Sequence, residues 1–122
     1  MPLTTRAGTS LLETKIVGEV AVVRLIGPSI LDDRELRLVN DGLRSLYEEH
    51  GHDKVLLNLG SVTRLTSALL AKLLKFHLRL RQAGGRLTLC EVRPEVWEVF
   101  EITHLTRIFD VYPTEWQALL SF

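Results

Sequence analysis

A chain of 122 residues is long enough for one hydrophobic core and too short for two. With 46% hydrophobic and 25% charged residues it has the composition of a globular domain, which excludes a chain disordered throughout. Its 15 basic and 15 acidic residues cancel, which argues against nucleic acid as the main partner, because phosphate binding draws on a surplus of Lys and Arg.

In chain order, residues 1–10 are polar and rich in Thr, Ser and Gly, and read as a tail or lead-in to a domain over 11–122. They contain no apolar core of a signal peptide. Leu11 to Val17 is a weak strand pattern, and the β-branched run from Val20 to Ile26 is a stronger one. Gly18-Glu19 between them fits a hairpin, which makes this edge antiparallel. Gly27-Pro28-Ser29 then breaks the strand, and Asp32 or Asp33 caps a helix. Leu36, Val39, Leu43 and Leu46 recur at helical spacing over residues 33–49, and Gly51 ends that helix.

Lys54 to Leu59 is a short apolar run, the pattern of a strand buried on both faces. A polar loop over 60–66 leads to a second helix over 67–82, which Ala83-Gly84-Gly85 terminates. Arg86 to Cys90 is the next strand. Pro94 suits the first turn of a third helix that reaches Ile102. Arg107 to Val111 is a last strand, and Pro113 opens a final helix carrying Trp116, Leu119 and Leu120. Strands alternating with helices predict an α/β domain: a mixed, mostly parallel sheet of four or five strands with an antiparallel N-terminal edge, and about four helices, mostly on one side. No stretch approaches the roughly 18 apolar residues of a membrane span, and the expected compartment is the cytoplasm.

The charge distribution is asymmetric. From Lys54 to Cys90 there is no Asp or Glu, whereas Lys54, Arg64, Lys72, Lys75, Arg79, Arg81 and Arg86 all fall there. At about 100° per residue, Leu69, Leu70, Leu73, Leu74, Phe76 and Leu80 share one face of the second helix, and Ala68, Lys72, Lys75 and Arg79 share the other. Such a basic stripe is either an ordinary solvated face or a docking surface for an acidic partner. It begins beside Thr66-Ser67, where either hydroxyl can cap the helix. A phosphoryl group placed there meets unpaired N–H groups and the positive end of the helix dipole, so it can change a surface without unfolding it.

Other residues read as structural. Cys90 ends an apolar strand and is expected to be a buried small hydrophobe. His77 falls on the apolar side of its helix, as expected of a hydrogen-bonded core histidine. Trp97 and Trp116 lie on predicted helices, where core packing is expected. No GxSxG, P-loop or HExxH motif is present, and the histidines do not cluster near Cys90, so neither an enzyme nor a zinc site is expected.

The segments VLLNLGSVTRLTSALLAKLL and AGGRLTLCEVRPEVWEVFEITHLTRIFDVY resemble the STAS domain of bacterial anti-sigma factor antagonists, over about Thr14 to Leu120. Gly84-Gly85, Pro94, Val96, Phe100 and Leu105 carry the alignment. The resemblance implies a non-catalytic switch that binds an anti-sigma factor, itself a serine kinase, and thereby releases a sigma factor. Phosphorylation would fall on Ser67, and a PP2C-type phosphatase would reverse it. Arg64, Thr66, Ser67, Ala68, Lys72 and Lys75 would form the partner-binding surface. Thr66, Ala68 and Leu69 stand where the family has Asp, a second Ser and Gly, and His104 stands where a Gly commonly precedes the last strand. The alternative is a STAS subunit that serves a membrane transporter or signalling complex without being phosphorylated.

Overall fold

The computed structural model describes residues 5–6, 11–26 and 33–122. The predicted break at Gly27-Pro28-Ser29 and the Asp32 cap lie outside the described residues. The strands are β1 (Thr5–Arg6), β2 (Leu12–Val17), β3 (Val20–Leu25), β4 (Lys54–Asn58), β5 (Arg86–Cys90) and β6 (Asp110–Tyr112). The helices are α1 (Asp33–Glu48), α2 (Ser67–Gln82), α3 (Pro94–Ile102) and α4 (Glu115–Leu120).

The six strands lie in sequence order across one sheet. β1–β2 and β2–β3 are antiparallel, and β3–β4, β4–β5 and β5–β6 are parallel. The strand count exceeds the expected four or five because Thr5 and Arg6, within the lead-in, pair with Thr14 and Glu13 of β2. Each crossover from β3 onward steps one strand in the same direction. Right-handed crossovers that never reverse must place their helices on one face, and α1, α2 and α3 share a core with Ala21, Val23, Val55, Leu57, Leu87 and Leu89. Alternate residues Val20, Val22, Leu56 and Cys90 point the other way and meet Ala118 of α4.

The final βα unit departs from the sequence expectation. A 3-10 turn at Leu105–Arg107 precedes β6, so the last strand starts at Asp110 rather than Arg107. Buried Leu105 and Phe109 pull that segment into the core, which leaves too few residues for a strand from Arg107. Thr114 rather than Pro113 marks the start of α4, because its hydroxyl accepts the Gln117 N–H at 3.1 Å. His104 adopts the left-handed conformation at φ +60°, which explains why glycine suits this position: a side chain is strained there.

Two aromatic expectations divide. Trp97 is partly buried with its ring 6.3 Å from Phe100. Trp116 is 70% exposed, contrary to its expected place in the core, because Ala118 and Leu119 supply the inward face of α4. His77 is buried at 5% exposure, with its ring 5.0 Å from Phe109. The expected hydrogen bonds are absent: neither ring nitrogen has a partner among the described residues. Burial lowers its pKa from the ordinary value; Arg81 adds to the fall and Asp110 opposes it.

That environment has a stability consequence. The unfolded chain takes up the His77 proton below about pH 6.5, whereas the folded chain resists it. The contribution is therefore intact above that pH and is lost as pH falls toward the lower folded pKa. Urea denaturation from pH 8 to 5 is expected to show this loss, and His77→Leu should flatten it. Removing the unpaired nitrogens should also raise stability at pH 7 by about 1 kcal/mol.

Candidate switch surface at the start of the second helix

The site grows out of the end of β4. Leu59, Val62 and Leu65 are buried and anchor the loop that follows. The Leu59 N–H donates to the Cys90 carbonyl at 3.1 Å, and the Val62 N–H donates to the Leu59 carbonyl at 3.0 Å. Buried Asn58 accepts from the Gly60 N–H at 2.8 Å, and Arg93 donates to the Gly60 carbonyl at 3.1 Å. These bonds fix the loop so that its next residues start α2 at a defined place.

Thr66 is the N-cap. Its hydroxyl accepts the Leu69 N–H at 3.1 Å, and its carbonyl accepts the Leu70 N–H at 2.9 Å. Of the two hydroxyls that sequence left as candidate caps, Thr66 thus takes the capping role. Ser67 is the first helical residue and is exposed. The N–H groups of Ser67 and Ala68 lie in the first turn, where no carbonyl inside the helix stands four residues back. No acidic residue occupies that turn. An exposed hydroxyl thus stands at the positive end of a helix of 16 residues.

Around it the expected surface is assembled in part. Arg64 and Ala68 are exposed, and Thr66 and Lys72 are half-buried, all within the loop end and first two turns of α2. Lys75 is exposed but lines a groove further along, between α1 and α2. Arg79 joins it there and pairs with Glu48 of α1 at 2.7 Å. The basic stripe read from the sequence therefore divides into a part beside Ser67 and a part facing α1.

Sequence reasoning missed a polar cluster behind the loop. Asn58 donates to Glu91 at 3.0 Å and to Glu115 at 2.9 Å, and Lys15 pairs with Glu115 at 3.0 Å. Burial pushes the Glu115 carboxyl up, but hydrogen bonds from Asn58 and Lys15 and the charges of Lys15 and Arg24 bring it below the usual carboxylate range. Cys90, Glu91 and Glu115 also offer ligand atoms within 4.8 Å of one another. The thiol is a poor fit for a metal: burial first, then Glu91 and Glu115, push it up to about 12, so it stays protonated at neutral pH. The contacts that build this cluster span 33 and 57 residues, beyond the reach of any local motif.

Among the described residues, six strands stepping one way, three crossover helices on one face and an exposed serine at the opening of the second define a small α/β domain of one-directional topology. The family model for the STAS domain matches residues 12–118, and the chain belongs to that family. It is 39% identical over 74 residues to BtrV of Bordetella bronchiseptica, described provisionally as an anti-sigma factor antagonist. That match covers 61% of this chain and 64% of the length of BtrV. It is 26% identical over 100 residues to the anti-sigma F factor antagonist of Paenibacillus polymyxa, covering 82% of this chain and 84% of that protein. A Thermotoga maritima crystal structure, described in the same provisional terms as an anti-sigma factor antagonist, superposes with a TM-score of 0.80. Identity there is 24%, with 90% of this chain and 92% of that one covered, so the likeness is one of fold.

Proposed function

We propose that this chain is a non-catalytic anti-sigma factor antagonist of the cytoplasm: unphosphorylated, it binds an anti-sigma factor and releases the sigma factor. The single observation that carries the reading is the exposed Ser67 in the first turn of α2, beside a capping threonine that already holds the helix. The names of BtrV and of the Paenibacillus relative support the partner class. The absence of a strand-order reversal within β3–β6 also fits, since ligand crevices of open α/β sheets form where the order reverses.

In this reading the anti-sigma factor is a serine kinase that brings its own ATP, so the chain needs no cofactor. Ser67 accepts the phosphoryl group. Thr66 shapes the turn and keeps the helix capped in both states. Arg64, Ala68 and Lys72 complete the contact surface beside Ser67; Lys75, turned to the groove between α1 and α2, lies outside it. A PP2C-type phosphatase restores the hydroxyl. Phosphorylation adds about −1.5 to −2 charges where the dipole tolerates them, so the fold persists while the positive charge of Arg64 and Lys72 is neutralised.

The test is incubation with ATP and an anti-sigma kinase encoded in the same genome. Phosphate is expected in the wild type and not in Ser67→Ala. Thr66 puts no carboxylate beside the serine, and a wild type that takes up no phosphate would instead favour a STAS subunit of a transporter or signalling complex that works without this chemistry.

A further inference from the structure

A second surface lies away from Ser67. The C-terminal halves of α1 and α2 flank an open groove of about 360 Å³. Tyr47, Phe76 and Leu78 give it an apolar lining, with Leu78 50% exposed. Arg44, Lys75 and Arg79 stand along it, with Glu48 as the single carboxylate among the described residues that line it. Glu48 is shared: Arg79 reaches it at 2.7 Å and Arg44 at 3.5 Å. The Arg79 guanidinium also lies 5.8 Å from the centre of the Tyr47 ring. Three cations face one acid, in a chain whose overall charge is zero. The local surplus is therefore a feature of this groove and not of the protein at large.

We infer that this groove docks an acidic amphipathic helix of a protein partner, at a site separate from the Ser67 switch. The chemistry selects that occupant. An apolar floor between two helices takes side chains spaced at one helical face. The surplus of cations above it takes carboxylates on the flanks of the same helix and rejects a basic one. Lys75, the groove cation nearest to Ser67 in sequence, stands eight positions further along α2, roughly 12 Å along the axis and beyond the Debye length of about 8 Å, so a charge at Ser67 is largely screened from the groove at physiological salt. The groove therefore holds its partner in both states of Ser67.

The probe is a synthetic helical peptide of about four turns, with Leu along one face and Glu elsewhere, and a second peptide with Lys in place of Glu. Each is titrated into the isotope-labelled full chain by NMR. The Glu peptide is expected to shift amides of residues 40–48 and 75–82, and the Lys peptide is not. A Leu78→Glu, Arg44→Glu double variant with an unchanged circular dichroism spectrum should weaken the Glu peptide about tenfold or more. Ser67→Asp should leave that affinity within about twofold of wild type. Equal binding of both peptides, shifts centred on Ser67, or no shift with the Glu peptide would overturn the assignment. So would concentration-dependent shifts of the same residues in the free protein, which would make a second copy the occupant. None of these readouts uses the kinase, so this docking site and the phosphoswitch stand or fall separately.

Discussion

Ser67→Asp is expected to fold as the wild type does and to bind the anti-sigma factor at least about tenfold more weakly, a change of about 1.4 kcal/mol or more. The first half follows from position. A carboxylate in the first turn of α2 stands at the positive dipole end, which stabilises it by a few tenths of a kcal/mol to about 1. The Thr66 cap and the buried loop anchors Leu59, Val62 and Leu65 are untouched. The second half follows from the neighbours. Arg64 and Lys72 make this end of α2 a surface that favours an acidic partner face, and a negative charge set among them repels that face. Ser67→Ala is the control: it removes the phosphoacceptor and adds no charge, so it should bind close to wild type. Calorimetry checks both variants, and an unchanged affinity for Ser67→Asp would remove charge as the switch.

Gly85→Ala is expected to destabilise the fold by about 3 kcal/mol, the range of a steric overlap that side-chain rotation cannot relieve. A Cβ at Gly85 would run into the backbone carbonyl and the Cβ of Asp53. That approach is needed because the Arg86 N–H donates to the Asp53 carbonyl at 2.8 Å where β5 comes alongside β4. Neither partner can move without shifting the register that pairs Lys54 with Arg86. Gly84 serves a different purpose. It sits at φ +80° with open space around its Cα, so Gly84→Ala should cost only about 1 kcal/mol of backbone strain. Urea midpoints of the two variants separate a clash from a conformational preference, and equal losses would show that the close approach to Asp53 is not the constraint.

The Gly-Gly pair shows what a sequence makes legible. Helix ends, strand runs and the order of elements depend on neighbouring residues, and those expectations match the structure over α2, β5 and α3 to the residue. The start of α2 is legible for the same reason, although sequence leaves Thr66 and Ser67 both open as its cap and the structure gives that role to Thr66. What was not legible depends on tertiary contact. Phe109 turned the expected start of β6 into a 3-10 turn by entering the core. Periodicity over a helix of six residues does not say which face meets the sheet, so the outward position of Trp116 is not legible in it. Residue type alone suggests hydrogen bonds for a buried His77, whereas its neighbours are the Phe109 ring and the apolar core. The division of the basic stripe needed α1 beside α2 before Glu48 could claim Arg79.

The most direct measurement is displacement of a labelled sigma factor from its anti-sigma complex, followed by fluorescence anisotropy, with one preparation of this chain assayed before and after stoichiometric phosphorylation. Free sigma factor should appear with the untreated protein and fail to appear with the phosphorylated one, and dephosphorylation should bring the activity back. Equal displacement by both forms would contradict the idea that a charge at the tip of α2 governs partner choice.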